Sequence, residues 1–239
     1  MIEQHKTYID LLRDYFHFQQ NVYGEEILLD KPVHLLFQTE KDRSEPGLSL
    51  IEEKVMQCSR CSLHKGVHKK VFGEGSKEAK LLIVGEAPGR EEDLQGKPFV
   101  GKAGELLTKI LKAIDFTRDE VYICNILKCR PPQNRDPDPQ EIKMCFPFLE
   151  EQISVIKPEI ILALGRFAGQ ALLNTQSSLA RLRNEIHQYK DIPVFVTYHP
   201  AALLRDAKKK YDVWEDVQRL RKAYDNLVGD KPEWQPGKK

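Results

Sequence analysis

Four near-continuous apolar runs constrain this chain more than any other feature: KLLIVG at 80–85, VYICNI at 121–126, EIILALG at 159–165 and PVFVTY at 193–198. Each is short, rich in β-branched or aromatic residues, and lacks the polar alternation of a half-exposed strand, so each reads as a strand buried on both faces. The intervening segments are long enough for helices, predicted over 103–114, 137–156, 167–173 and 201–227. In the last of these, Val213, Val217, Leu220 and Tyr224 share one face. Such spacing implies an α/β fold of three layers, α/β/α, with a central four-stranded parallel sheet between helices.

The amino-terminal part reads differently. Ile9, Leu12 and Phe16 recur at helical spacing, after which residues 25–50 lose periodicity and gather charge, proline and glycine. The expected organisation is an N-terminal helical extension and linker over 1–50, the α/β domain over 51–228, and a disordered tail over 229–239. The first sixteen residues, MIEQHKTYIDLLRDYF, lack the apolar core of a signal peptide, and no run is long enough to span a bilayer. A cytoplasmic protein without a membrane partner is expected, in which thiols stay reduced. With 37 Lys+Arg against 36 Asp+Glu, the net charge of +1 neither requires nor excludes a polyanionic partner. Two local basic clusters, HKGVHKK at 64–70 and RDAKKK at 205–210, suit phosphates or simply a solvated face.

Open α/β sheets bind ligands beyond the carboxyl ends of their strands. Those ends carry GEAPGREED (85–93), CNILKCRPPQNRDP (124–137), LGRFAG (164–169) and HPAALLR (199–205). Glu86 lies in a glycine-bounded loop, Asn125 in the last turn of its strand, and His199 directly after the fourth strand. Taken singly, these are an ordinary cap, a turn former and a structural histidine. Their meeting at one sheet edge favours a site. Pro200 discourages helix at His199 and suits the first turn of the helix that follows.

Five cysteines need a separate explanation. Cys58 and Cys61 form CSRC, while Cys129 and Cys145 are spaced C-x15-C. Four thiolates in two pairs suit zinc or an iron–sulfur cluster, with unliganded reduced thiols as the plain alternative. Cys124, inside a predicted strand, reads as a small buried apolar residue.

Together GEAPGREEDLQGKPFVGKAGELL, ICNILKCRPPQNRDPDPQEIKMC and YHPAALLR, in that order and spacing, resemble the family 4 uracil-DNA glycosylases, over roughly residues 58–227. The resemblance implies hydrolysis of the N-glycosidic bond of deoxyuridine in DNA, acting on a flipped nucleotide; the expected partner is single-stranded or duplex uracil-containing DNA, and a monomer is expected. It implies a [4Fe-4S] cluster held by Cys58, Cys61, Cys129 and Cys145, with Cys124 not a ligand. It places Glu86 and Ala87 beside the scissile bond, Phe99 under the uracil ring, and Asn125 on the pyrimidine edge. Glu92 would crowd C5 and so exclude thymine, and His199 would contact O2. Leu203 resembles the wedge that fills the space left by the flipped nucleotide, with Arg205 and Lys208 to Lys210 along the phosphates.

Those residue types suit the roles. An Asn carboxamide accepts from uracil N3–H and donates to O4, whereas cytosine presents the opposite pattern. A donor from His199 would stabilise charge on the departing base, and Glu86 would offset the oxocarbenium charge or position water. Ala87 stands where the glycosylase pattern has an aspartate, and Asn184 where the family commonly has glycine. The KRRIH-type insertion of the crosslinking branch is absent, which disfavours a covalent DNA trap. The rival readings are a metal-stabilised nucleic-acid binding module without catalysis and an iron–sulfur electron carrier.

Overall fold

The computed structural model describes residues 47–232 and 234–235. The extension expected over residues 1–50 falls outside the described residues as far as residue 46. In chain order the elements are α1 (Leu48–Gln57), β1 (Glu74–Gly75), β2 (Leu81–Gly85), α2 (Arg90–Gln95), α3 (Lys102–Ala113), β3 (Tyr122–Asn125) and α4 (Pro139–Ile156). They continue with β4 (Ile160–Leu164), α5 (Arg166–Leu173), α6 (Leu179–Arg183), β5 (His187–Tyr189), β6 (Ile192–Thr197), α7 (Pro200–Arg205) and α8 (Lys209–Leu227).

The four strands expected from the apolar runs form the parallel centre of a six-stranded sheet of order β1-β3-β2-β4-β6-β5. The sequence reading lacked the two edges, β1 and β5, which pair antiparallel to β3 and β6. Being two and three residues long, EG and HQY carry no apolar run that would reveal them.

Alternate residues of the central strands feed two cores, which is why those strands are apolar throughout. Leu82, Val84, Cys124, Ile161, Ala163 and Val196 belong to one cluster with Ile51 and Val55 of α1 and Phe148 and Leu149 of α4. Leu81, Ile83, Ile123, Ile160, Leu162 and Phe195 belong to the other, with Leu107 and Leu111 of α3 and Val217 and Leu220 of α8. Each Val, Leu, Ile or Phe side chain among them stabilises the fold by roughly 1.5–3 kcal/mol relative to exposure. At the start of α4, the Asp138 side chain accepts from the Gln140 N–H at 2.8 Å while Glu141 accepts from the Asp138 N–H at 2.9 Å. This cap ends the proline-rich loop and is worth about 1 kcal/mol.

Two expectations are corrected. The helix predicted over 201–227 is two helices: Asp206 takes an extended backbone, and its Oδ1 accepts from the Lys208 N–H at 3.1 Å, replacing helical bonding with a side-chain turn. The tail expected to be disordered from 229 is partly packed, because the Pro232 carbonyl accepts from Arg221 Nη2 at 2.8 Å and Trp234 meets Trp214 edge-on at 5.7 Å. Among the described residues, no helix is long and apolar enough to cross a membrane.

Candidate active site

Gly85, Asn125, Leu164 and Thr197 occupy corresponding positions at the carboxyl ends of the parallel strands. The chain after β2 is laced to the chain after β3, the Gly85 and Glu86 carbonyls accepting from the Ile126 and Leu127 N–H groups at 3.0 Å each. This lacing holds the GEAPG loop beside Asn125. Beyond these ends lies a pocket of about 340 Å³ lined by Glu86, Ala87, Glu92, Phe99, Asn125, Asn134, Arg135, Asp136, His199 and Arg205, among others. The residues expected at the site therefore come together, with one exception.

Asn125 is 2% exposed, and among the described residues its Oδ1 is the buried side-chain acceptor without a hydrogen-bond partner. Gly85 makes room for it: a Cβ there would stand 2.2 Å from Asn125 Oδ1 and 2.6 Å from the Phe99 ring. Phe99 is buried and holds a left-handed backbone, φ 52°. Arg118 fixes that conformation, donating to the Phe99 carbonyl at 3.2 Å and to that of Pro98 at 2.8 Å. The Phe99 ring stacks beside the His199 imidazole with centroids 5.5 Å apart.

His199 caps α7, its Nδ1 accepting from the Ala201 N–H at 3.2 Å. That bond leaves the imidazole proton on Nε2. Burial, reinforced by the Arg205 charge and opposed by Glu92, pushes the His199 pKa down to about 4. At neutral pH the ring is therefore an uncharged donor. Glu86 moves the other way: burial and then the Asp136 carboxylate, opposed by Arg166 and Arg205, raise its pKa to about 7. Asp136 itself pairs with Arg166 at 3.3 Å.

Glu92 lines the pocket, yet both of its oxygens are engaged. Oε2 accepts from the Gly89 N–H at 3.1 Å, and Oε1 from the Val100 and Gly101 N–H groups at 3.0 and 3.1 Å. It ties the GEAPG loop to the segment carrying Phe99, a bracing role that sequence spacing alone did not suggest. Arg118 was missed too, as a lone arginine 19 residues from the carbonyl it grips carries no local signal. Asn134, Arg135 and Asp136 were seen only as part of a proline-rich loop.

Leu203 is the exception. It is 3% exposed and belongs to the same apolar cluster as Leu107 and Val213, so without DNA it packs in the core and does not line the pocket. Successive helical positions are about 100° apart, which turns Leu204 to solvent at 53% exposure. Arg205 follows, exposed at the pocket rim. Lys208 and Lys210 are exposed beyond it, while Lys209 pairs with Asp206 at 3.3 Å.

Cys58, Cys61, Cys129 and Cys145 line one cavity. Backbone N–H groups of Arg60 and Lys128 point to Cys58 and Cys145 Sγ at 3.5 and 3.3 Å. Burial, then the neighbouring cysteines, push the Cys129 thiol up to about 12, so charged sulfurs here call for a compensating cation. Among the described residues, no three His, Cys, Asp or Glu side chains form a group that could hold one metal ion. Cys124 lies fully buried in β3 and does not line this cavity.

The family model described as Uracil DNA glycosylase superfamily matches residues 72–221. A Type-4 uracil-DNA glycosylase of Archaeoglobus fulgidus is 41% identical over 182 residues, which cover 73% of this chain and 92% of that protein. Proteins of the same name from Saccharolobus solfataricus and Thermotoga maritima are 42% and 40% identical. The aligned regions cover 74% and 73% of this chain and 86% and 93% of those proteins.

Proposed function

The chain belongs to the uracil DNA glycosylase superfamily, and from that premise we propose that it hydrolyses the N-glycosidic bond of deoxyuridine in DNA, releasing uracil and leaving an abasic site. The observation that carries this reading is the unpartnered, buried Asn125 Oδ1 beside Phe99. An acceptor so placed is matched by the N3–H of a uracil stacked on the Phe99 ring, while the carboxamide N–H₂ meets O4. Cytosine has an unprotonated N3 and an N4 donor, so both contacts become mismatches. Nothing favours the rival module without catalysis, for which such a selective acceptor has no use.

His199 Nε2–H serves as the donor to O2 of the departing base, and being uncharged before the reaction it need not shed a proton afterwards. Glu86, when ionised, offsets the cationic character of the sugar or orients the water that attacks C1′. Arg205 with Lys208 and Lys210 meets the backbone phosphates. Incubating the protein with a uracil-containing oligonucleotide, then cleaving with alkali, tests the activity directly. Intact DNA despite binding would leave the non-catalytic module standing.

The ionisation of Glu86 gives a pH prediction. Because its pKa is raised to about 7, kcat/KM should rise about tenfold per pH unit below that value and level off above it. His199, neutral down to about 4, adds no limb in the accessible range. Glu86→Gln should flatten the profile, and a limb that survives this substitution would remove Glu86 from the chemistry.

The same reading assigns Cys58, Cys61, Cys129 and Cys145 to a [4Fe-4S] cluster. Bound there, the cluster supplies a covalent cross-link between the segment after α1 and the loop and helix after β3, and its coordination adds to folding stability. Alanine at any of the four positions should lower iron content and melting temperature together, whereas Cys124→Ala should keep the iron. Stoichiometric zinc in colourless, anaerobically prepared protein would refute the iron assignment.

A further inference from the structure

Lys128 is 1% exposed, although nothing in the reaction described above uses it. Its Nζ donates to the Asn125 carbonyl at 2.8 Å, to Gln152 Oε1 at 2.6 Å and to the Phe72 carbonyl at 3.3 Å. Three acceptors match the three N–H bonds of an ammonium, and none of them is a carboxylate. Gln152 is itself oriented, its Nε2 donating to the Phe72 carbonyl at 3.1 Å and to Tyr122 Oη at 3.3 Å. Burial lowers the Lys128 pKa, and a long amine held only by neutral dipoles is an expensive way to fill space that a methionine would fill more cheaply. What it adds is direction: a 2.8 Å hydrogen bond on the main chain of the residue that reads uracil.

The other end of Lys128 faces the thiols. Its N–H points to Cys145 Sγ at 3.3 Å, and Cys129 follows it in the chain. A single residue thus spans the distance between the cysteine-lined cavity and the back of the pocket. Its bond to the Asn125 carbonyl acts at the last paired residue of β3, opposite Gly85, where the strand gives way to the loop that carries Cys129. Reading an edge by hydrogen bonds tolerates only about 0.5 Å of misplacement, so the main chain there needs a fixed anchor.

We propose that Lys128 is a positioning residue that fixes Asn125 against the uracil edge through the Asn125 main-chain carbonyl and ties that edge to the four-cysteine lobe; this rests on the uracil-excising reading. The test uses the full chain, matched for iron content, with free uracil as the probe. Lys128→Met should weaken inhibition by free uracil about tenfold and lower kcat by a similar factor, the usual scale for leaving a buried acceptor unpaired. Affinity for abasic-site duplex, which lacks the base, should stay within about twofold. Gln152→Met opens the same buried network but leaves the bond to Asn125, so it should lower the melting temperature with uracil inhibition nearly unchanged.

Wild-type inhibition in Lys128→Met overturns the proposal, as does equal weakening in Gln152→Met, which would make the network packing alone. Should Lys128→Met fail to fold, Lys128→Gln replaces it. The shorter amide cannot span all three acceptors, so at least a threefold weakening is expected, and wild-type inhibition again overturns the role. Wild-type protein that excises uracil while these variants behave normally sinks only the Lys128 assignment. Wild-type protein inert on uracil DNA and indifferent to free uracil sinks the underlying reading and this inference with it.

Discussion

Asn125→Asp should cut uracil excision by ~10²-fold or more in single-turnover assays, the largest loss expected from a one-residue change of nearly constant volume. The exchange replaces the carboxamide N–H₂ with a second acceptor, so the position facing uracil O4 changes from attraction to repulsion. A mismatched buried polar pair costs roughly 1–3 kcal/mol, more when one partner is charged, and each ~1.4 kcal/mol is a factor of ten in rate. The surroundings leave no room for relief, because Asn125 is 2% exposed and packs where Gly85 has no Cβ. The same carboxylate gains a partner in the N4–H₂ of cytosine, so the ratio of uracil to cytosine excision should fall further than the uracil rate alone. Uracil excision at the wild-type rate, in protein with wild-type circular dichroism and iron content, would remove Asn125 from the reading edge.

The parts of this site that sequence revealed are those whose chemistry is local. Strands buried on both faces cannot hide, since every residue of LLIVG, YICN and IILAL must be apolar or end the strand. Glu86, Asn125 and His199 were visible because each stands at the end of such a run. What stayed hidden acts across long sequence distances. Arg118 grips the carbonyls under Phe99, Lys128 reaches Gln152 on α4, and Glu92 binds backbone N–H groups eight and nine residues away. In sequence, Arg118 and Lys128 are two more charged residues in a chain that is 31% charged, and Glu92 stood out for its expected place beside C5 but not for the backbone it holds. The leucine pair shows another limit. LL after HPAA fixes that one of the two faces the core, but helix phase decides which, and the phase was set by Pro200 at the first turn together with the early stop at Asp206.

That phase separates chemistry from strand opening in one comparison: His199→Ala, Leu203→Ala and Leu204→Ala, each on single-stranded and duplex uracil DNA. His199→Ala removes the Nε2–H donor from the departing base, and loss of one such donor costs ~10²–10³-fold in rate. Both substrates pass through the same bond cleavage, so both should slow by the same factor. Leu204, exposed and directly before Arg205 at the pocket rim, is the side chain free to enter a duplex when the nucleotide swings out. Its loss should slow the duplex reaction and spare the single strand, because only the duplex must give up stacking and pairing worth a few kcal/mol. Leu203→Ala should instead open a cavity in the core it shares with Leu107 and Val213, lowering stability by ~2–5 kcal/mol. Its defect should then follow melting temperature and show no preference between substrates. A duplex-only defect in His199→Ala would overturn its catalytic role. If Leu203→Ala, not Leu204→Ala, lost duplex activity at full stability, the buried leucine would have to leave the core on binding DNA, and the wedge would belong to it.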